Sequence, residues 1–192
     1  MGYKLVLGSA SPRRQELLRL LTPDFEVRPA DVDETLRPGV PLADEVVRLS
    51  LDKARVACAA AGAPCVAVGS DTMVTVDGKA LGKPRDAADA ARMLRMLSGR
   101  THEVVTAAAV VGTDGREDTA LNVTRVTFYA LDERDIQRYV ATGEPLDKAG
   151  AYGIQGRGAV LVRGIQGDFY SVMGLPVAQL ARLLQARGLL EG

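Results

Sequence analysis

Tyr3-Lys4-Leu5-Val6-Leu7-Gly8-Ser9-Ala10-Ser11-Pro12-Arg13-Arg14-Gln15 runs from a short apolar segment, through a loop of small residues and hydroxyls, into an apolar-periodic segment that continues to Leu21. It reads as strand, loop and helix, the opening unit of an α/β chain. Ser11 is a good N-cap and Pro12 suits the first helical position, so Arg13 and Arg14 fall at the second and third. Cations are misplaced there. The helix dipole opposes each by roughly 0.3–1 kcal/mol, and a capping box would put Glu or Gln where Arg14 stands. A bound anion removes the conflict. Backbone N–H groups, a small-residue approach and two guanidiniums together suggest phosphate, against the alternative of a solvated first turn whose arginines bend away.

Working outward, the pattern predicts a strand or extended piece near 25–34, helix 41–61, a strand at 65–69, a hairpin of 73–76 and 79–81 about Asp77-Gly78, and a helix near 86–97. A second hairpin follows, with 103–111 and 119–129 flanking Gly112-Thr113-Asp114-Gly115. Then come helix 132–142, a glycine-rich stretch, a short strand near 159–162 and helix 176–187. Alternating strands and helices point to a mixed α/β or α+β fold, and no repeat or long linker forces separate domains.

Composition narrows the chemistry. The 192 residues balance 24 basic against 24 acidic side chains, so any polyanion site must be built locally from a few placed cations. Nucleic-acid binding lacks a basic stripe and aromatic platforms, with three Phe, five Tyr and no Trp. Cys58 and Cys65 lack CxxC spacing and are expected as thiols in a reducing cytoplasm, and no apolar stretch approaches the ~18 residues that span a bilayer. A single histidine, His102, leaves a multi-His zinc site without ligands, and its place at the start of a buried strand favours a structural hydrogen-bonding role.

Several residues stand against their local pattern. On a helical wheel, Asp44, Glu45, Arg48, Asp52 and Arg55 share a solvated face, but Lys53 falls in the apolar stripe with Val46, Leu49, Val56, Ala57 and Ala60. Its ammonium must snorkel out or meet a partner inside. The buried strand 65–69 ends in Ser70-Asp71-Thr72, putting an acid at a strand's carboxyl end, where ligands collect in open α/β sheets. Asp71 has three readings: general base, metal ligand, or turn-former. Gly82-Lys83-Pro84 offers another lysine. Asp31, Asp33 and Glu34 form an acidic loop, a solvated feature by default, which with Asp71 offers oxygen ligands to a hard cation. The stretch from Asp147 to Gly158 carries its glycines as G-x-x-G-x-G, which is neither a Rossmann fingerprint nor a Walker sequence.

Ser11-Pro12-Arg13-Arg14, Ser70-Asp71-Thr72, Gly82-Lys83-Pro84, Ser98-Gly99 with His102, and Gly150-Ala151-Tyr152-Gly153-Ile154-Gln155-Gly156 closely resemble the Maf family over nearly the whole chain. The resemblance implies an elongated, two-lobed mixed α/β fold like that of the inosine-triphosphate pyrophosphatases, one domain over 1–192 with a central cleft, and a cytoplasmic homodimer. It implies hydrolysis of nucleoside triphosphates to monophosphate and diphosphate; because water attack at the α-phosphorus builds charge on the transferring group and the diphosphate, positioned cations with a divalent Mg²⁺ or Mn²⁺ are expected to assist it. The Gly-Ile-Gln-Gly form resembles the branch acting on dTTP and UTP, whereas the branch acting on 7-methyl-GTP typically has an acid near that position. By the same resemblance Asp71 accepts the proton of the attacking water, and Ser9, Arg13, Arg14, Lys53 and Lys83 line the phosphates. Glu34 matches the family acid, and Arg13, Thr72 and Gln155 match positions that choose the base; for the expected metal, Glu34 and Asp71 are the candidate ligands, with Asp71 as base, ligand or both. Two other roles stay open: a pyrophosphatase for modified nucleotides, and a nucleotide-sensing regulator of septum formation.

Overall fold

The computed structural model describes residues 3–62 and 64–191. Its strands are β1 (Lys4–Leu7), β2 (Glu26–Val27), β3 (Cys65–Val76), β4 (Lys79–Leu81), β5 (Thr101–Gly112), β6 (Glu117–Phe128) and β7 (Val162–Gln166). The helices are α1 (Pro12–Arg19), α2 (Leu42–Ala61), α3 (Ala87–Leu97), α4 (Glu133–Val140), α5 (Phe169–Met173) and α6 (Val177–Gln185). The strands form one mixed sheet in the order β2-β1-β3-β5-β6-β7, with β4 paired to β3. The expected mixed α/β class is therefore observed.

By contact, the chain divides into two compact units, and β3, β5 and β6 supply residues to both. The first unit takes the chain to Asp71, Thr106–Asn122, and everything from Gly174 onward. There β1 pairs parallel with β2 and β3, and the short β1 is apolar because Val6 and Leu7 are wholly buried. Val6, Ala67, Ala109 and Val111 from the strands meet Ala54, Ala57 and Cys58 of α2 in one cluster. Cys58 and Cys65 are buried thiols.

The second unit, Thr72–Val105 and Val123–Met173, packs α3 and α4 around Val104, Val126, Phe128 and Tyr152. The β3–β4 hairpin turns on Asp77 and Gly78 at φ 51° and 71°, the pair of positive values that a type I′ turn demands. Asp86 caps α3 by accepting from Asp89 N–H at 2.8 Å, and Asp132 with Asp135 forms a reciprocal capping box on α4.

Four expectations need correction. The piece near 25–34 pairs as a strand only over Glu26–Val27, and beyond it the backbone at Thr35 is taken by a side chain, Asp33 Oδ1 accepting from Thr35 N–H at 2.9 Å. The strand at 65–69 does not end at Ser70-Asp71-Thr72 but runs through to Val76, fusing two expected strands. Ser70 tolerates full burial since its hydroxyl lies 2.7 Å from Ala107 O and 2.9 Å from Gly174 O. The strand near 159–162 shifts to Val162–Gln166, because residues 156–161 wind into a 3₁₀ turn. Helix 132–142 stops at Val140, where the Thr142 hydroxyl donates to Tyr139 O at 2.7 Å and Gly143 turns left-handed at φ 74°.

His102 has the structural role its position suggested. It is 2% exposed, its Nε2 lies 2.8 Å from the Tyr152 hydroxyl, and its ring meets Phe128 edge-on at 5.0 Å. Burial pushes its pKa down to about 4 from 6.5. Between those values the unfolded chain binds the extra proton, so stability is present above pH 6.5 and is lost as pH falls toward 4, by about 3 kcal/mol. His102→Gln, which keeps a partner for Tyr152 but cannot titrate, is expected to lose about 5–10 °C less in Tm than the parent over that window. Parallel melting curves would show that His102 is not the group responsible.

Candidate active site

Two glycines let a helix lie almost on the strands beside it. A Cβ on Gly69 of β3 would stand 2.1 Å from Ser50 O and 2.5 Å from Ala54 N, and one on Gly8 would stand 2.8 Å from Lys53 O. Only glycine admits the α2 backbone at this range. The approach carries Lys53 inward: its Nζ lies 2.6 Å from Asp71 Oδ1 and 2.7 Å from Glu34 Oε1. The Lys53 and Asp71 side chains are 9% and 8% exposed, so the ammonium meets partners and does not snorkel. Asp71 Oδ2 is also buried and has no hydrogen-bond partner among the described residues. Such an oxygen costs about 1–3 kcal/mol or more when left unpaired, which marks it for a ligand, a water or a proton.

The helical wheel was right about Lys53 and wrong about three neighbours. Val56 and Ala60, placed in the apolar stripe, are exposed, and Glu45, placed on the solvated face, is 1% exposed. Glu45 sinks because cations cover it. It accepts from Arg37 N–H at 3.0 Å, Arg37 Nε at 2.6 Å and Arg48 at 2.8 Å, while Arg48 also reaches Thr35 O at 3.1 Å. Its hydrogen bonds to Arg48, reinforced by Arg37 and opposed by burial, hold its pKa down at about 2. The loop that bears Glu34 is thus strapped to α2 at Thr35 and Arg37.

At the start of α1 the cap forms as expected. Ser11 Oγ accepts from Arg14 N–H at 3.5 Å, Ser9 Oγ accepts from Ser11 N–H at 3.2 Å, and Pro12 opens the helix. No acid stands in the first turn. Arg14 turns inward, its Nε donating to Gly174 O at 2.9 Å and its Nη1 to Ser9 Oγ at 3.4 Å. Burial lowers the Arg14 pKa, Asp71 and Glu34 pull it up, and Arg13 pushes it down, so these four charged residues share one electrostatic neighbourhood, to which Lys53 is joined through Asp71 and Glu34. The guanidinium stays protonated throughout. Ser9, Arg13, Arg14, Glu34, Lys53 and Asp71 all belong to the first unit.

Thr72, Lys83 and Gln155 belong to the second unit. Thr72 is half-buried and follows Asp71 on β3; Lys83 and Gln155 are exposed. The Lys83 loop is tied to the glycine-rich stretch, because Gly150 N–H donates to Gly82 O at 3.1 Å. Gly150, at φ 69°, lies so close to Val74 that a Cβ would meet it at 2.9 Å. Sequence reasoning missed Gly8, Gly69, Glu45 and Gly174. A glycine inside an apolar strand was the available signal for Gly69; Gly174 acts only through its carbonyl, which no side-chain pattern reveals.

Among the described residues, no group of three or more His, Cys, Asp or Glu side chains could hold a metal ion, and no helix is long and apolar enough to cross a membrane. Residues 4–187 match the family model described as Maf-like protein. The chain is 53% identical over 186 residues to a dTTP/UTP pyrophosphatase of Moorella thermoacetica, covering 96% of this chain and 95% of that one. It is 49% identical over 185 residues to a dTTP/UTP pyrophosphatase of Bacillus velezensis, covering 96% and 97%. Among solved structures, it shares its fold with a HAM1 protein from Coxiella burnetii, at TM-score 0.54 and 19% identity over 96% of this chain and 100% of that one. The Staphylococcus aureus Ham1 protein is similar at TM-score 0.50 and 16% identity, over 96% and 99%.

The close approach of α2 can be tested by filling it. Gly69→Ala is expected to destabilise the protein by about 1–3 kcal/mol, read from the denaturation midpoint, because the methyl meets backbone that cannot swing aside. Gly82→Ala, where a Cβ meets nothing within 4 Å, is the control that should leave the midpoint unchanged.

Proposed function

The chain belongs to the Maf-like protein family, and from that membership we propose that it hydrolyses nucleoside triphosphates, dTTP and UTP foremost, to the monophosphate and diphosphate. The observation that carries this reading is the buried Asp71 carboxylate, gripped on one oxygen by Lys53 while the other has no hydrogen-bond partner among the described residues, in the same unit as the inward-turned Arg14. The names of the relatives support the substrate class.

Attack of water at the α-phosphorus builds negative charge on the transferring group and the departing diphosphate, so rate should come chiefly from fixed cations. Arg13, Arg14, Lys53 and Lys83 are assigned to that work, with Ser9 as a hydroxyl contact. Asp71 Oδ2 is the assigned proton acceptor and water-orienting atom, and the Lys53 ammonium on Oδ1 fixes the direction of the carboxylate. Mg²⁺ or Mn²⁺ belongs to the same reading. Asp71 and Glu34 fit the sparse mode in which one or two carboxylates hold such a cation and phosphates and waters complete it, an arrangement that needs no cluster of three protein ligands. When bound, the cation supplies neutralisation of phosphate oxygens. Thr72, Gln155 and Arg13 are assigned to choice of base. Gln155 offers one acceptor for a pyrimidine N3–H and one donor for a ring carbonyl. The cytoplasmic, homodimeric state implied by the resemblance completes the proposal.

Diphosphate release from a panel of canonical and modified nucleoside triphosphates, with and without Mg²⁺ or Mn²⁺, tests it. Metal-dependent release favouring dTTP and UTP is expected, with Asp71→Asn lowering kcat at least about 100-fold and changing nucleotide affinity little. Near-normal turnover by Asp71→Asn would remove the base assignment. Nucleotide binding without release by the parent would favour the sensor reading, and preference for a modified base would move the substrate.

Gln155→Glu replaces the donor with a second acceptor. It is expected to lower kcat/KM for dTTP and UTP about 5- to 150-fold, the equivalent of ~1–3 kcal/mol for a carbonyl left unpaired. Unchanged pyrimidine selectivity in that variant would take Gln155 out of base recognition.

A further inference from the structure

Gln155 sits in a segment that no strand or α-helix supports, its backbone extended at φ −104° and ψ 175° between the 3₁₀ turns Ala149–Ala151 and Gly156–Leu161. A side chain that discriminates bases must nonetheless be held to about 0.5 Å and 10–20°. Two side chains outside the segment hold it. Glu144 Oε1 accepts from the Tyr139 hydroxyl at 2.9 Å and from Gly158 N–H at 3.2 Å, while its Oε2 accepts from Arg157 N–H at 3.0 Å. The Tyr139 oxygen in turn accepts from Gly153 N–H at 3.0 Å. Backbone amides on both sides of Gln155 are therefore tied to one hydrogen-bonded Glu–Tyr pair.

The glycine pattern follows from the same contacts. A Cβ on Gly158 would stand 2.2 Å from Gly153 O and 2.7 Å from the Tyr139 hydroxyl, and one on Gly156, at φ +67°, would stand 2.9 Å from Glu144 Oε2. Any side chain at either position would open the knot. Glu144 is itself anchored, its N–H donating to Thr142 Oγ1 at 3.1 Å and its carbonyl accepting from Lys148 Nζ at 2.6 Å. Burial works against its charge, but the amides of Arg157 and Gly158 and the Tyr139 hydroxyl hold its pKa below the usual value. Tyr139 is 4% exposed, on α4. Neither residue is assigned to phosphate or base.

We propose that Glu144 and Tyr139 are positioning residues for base recognition, clamping residues 153–158 so that Gln155 presents its amide in one direction. The proposal rests on the reading of Gln155 as the base-choosing group, and it assigns to the glycine-rich motif a purpose: to let the backbone close onto a half-buried carboxylate and a buried phenol.

Tyr139→Phe removes the acceptor for Gly153 and the donor to Glu144 with almost no change of shape; Glu144→Gln removes charge and one acceptor. Each is measured beside the parent and Gln155→Ala for kcat and KM with dTTP, UTP and ATP, and for hydrogen exchange at the amides of Gly153, Arg157 and Gly158. Both variants are expected to raise KM for dTTP and UTP roughly 10-fold, with kcat held within about twofold. They should also lower the dTTP-to-ATP ratio of kcat/KM toward that of Gln155→Ala, and speed exchange at those three amides. Unchanged KM and ratio in both variants, while Gln155→Ala flattens the ratio, would overturn the clamp and leave Gln155 as the base reader. A ratio unmoved by Gln155→Ala would overturn the underlying reading, and the proposal with it. A fall in kcat alone, with KM and ratio intact, would reduce the pair to a structural support and also overturn it.

Discussion

Everything assembled in the first unit depends on one buried ion pair, Lys53 against Asp71, and on the backbone that makes it possible. Taking both charges out of water costs several kcal/mol per ion, and their attraction offsets this only with close, well-directed contact. The 2.6 Å contact meets that condition because Gly8 and Gly69 allow α2 to lie on β1 and β3. The pair constrains chemistry as well as packing. Lys53 occupies one Asp71 oxygen, and the other has no hydrogen-bond partner among the described residues, so the carboxylate is oriented and half committed.

A second layer of charges surrounds the pair and acts through backbone. Glu45 is buried beneath Arg37 and Arg48, and Arg48 reaches the carbonyl of Thr35, the residue after Glu34. An exposed acid on a loop is ordinarily free to swing; here Glu34 is 59% exposed yet meets Lys53 at 2.7 Å, because its loop is tied on the following residues. Arg14 shows the same economy at the other end: a guanidinium at the dipole's unfavourable end is aimed by Gly174 O and Ser9 Oγ toward the acids that stabilise its charge. The conflict visible in the sequence is partly resolved by these neighbours within the protein itself.

The second unit solves a different problem by similar means. Its glycine-rich segment lacks ladder hydrogen bonds, so order comes from Glu144, Tyr139 and Val74 pressing on positions where a Cβ would not fit. His102 and Tyr152, close by in the chain's hydrophobic core, are structural: the imidazole is neutral through burial and bonded to a phenol. The single histidine of this chain thus belongs to the core.

By itself the sequence determined the α/β class, the capped α1 with its two arginines, the Asp77-Gly78 turn and the anomaly of Lys53 inside an apolar stripe. Each of these is local: a cap, a turn or a periodicity written in consecutive residues. Motif resemblance reached further, naming the family and the candidate residues without showing how any of them is held. Only the tertiary structure decided that β3 runs unbroken through Ser70-Asp71-Thr72, since Ser70 is satisfied by carbonyls 37 and 104 residues away. It likewise decided that Glu45 is buried, because the arginine backbone and side chain that cover it come from a loop, eight residues before it, whose conformation no helical wheel contains. Propensity and periodicity describe a residue's neighbours in the chain, whereas burial and hydrogen-bond satisfaction depend on atoms that only folding brings near.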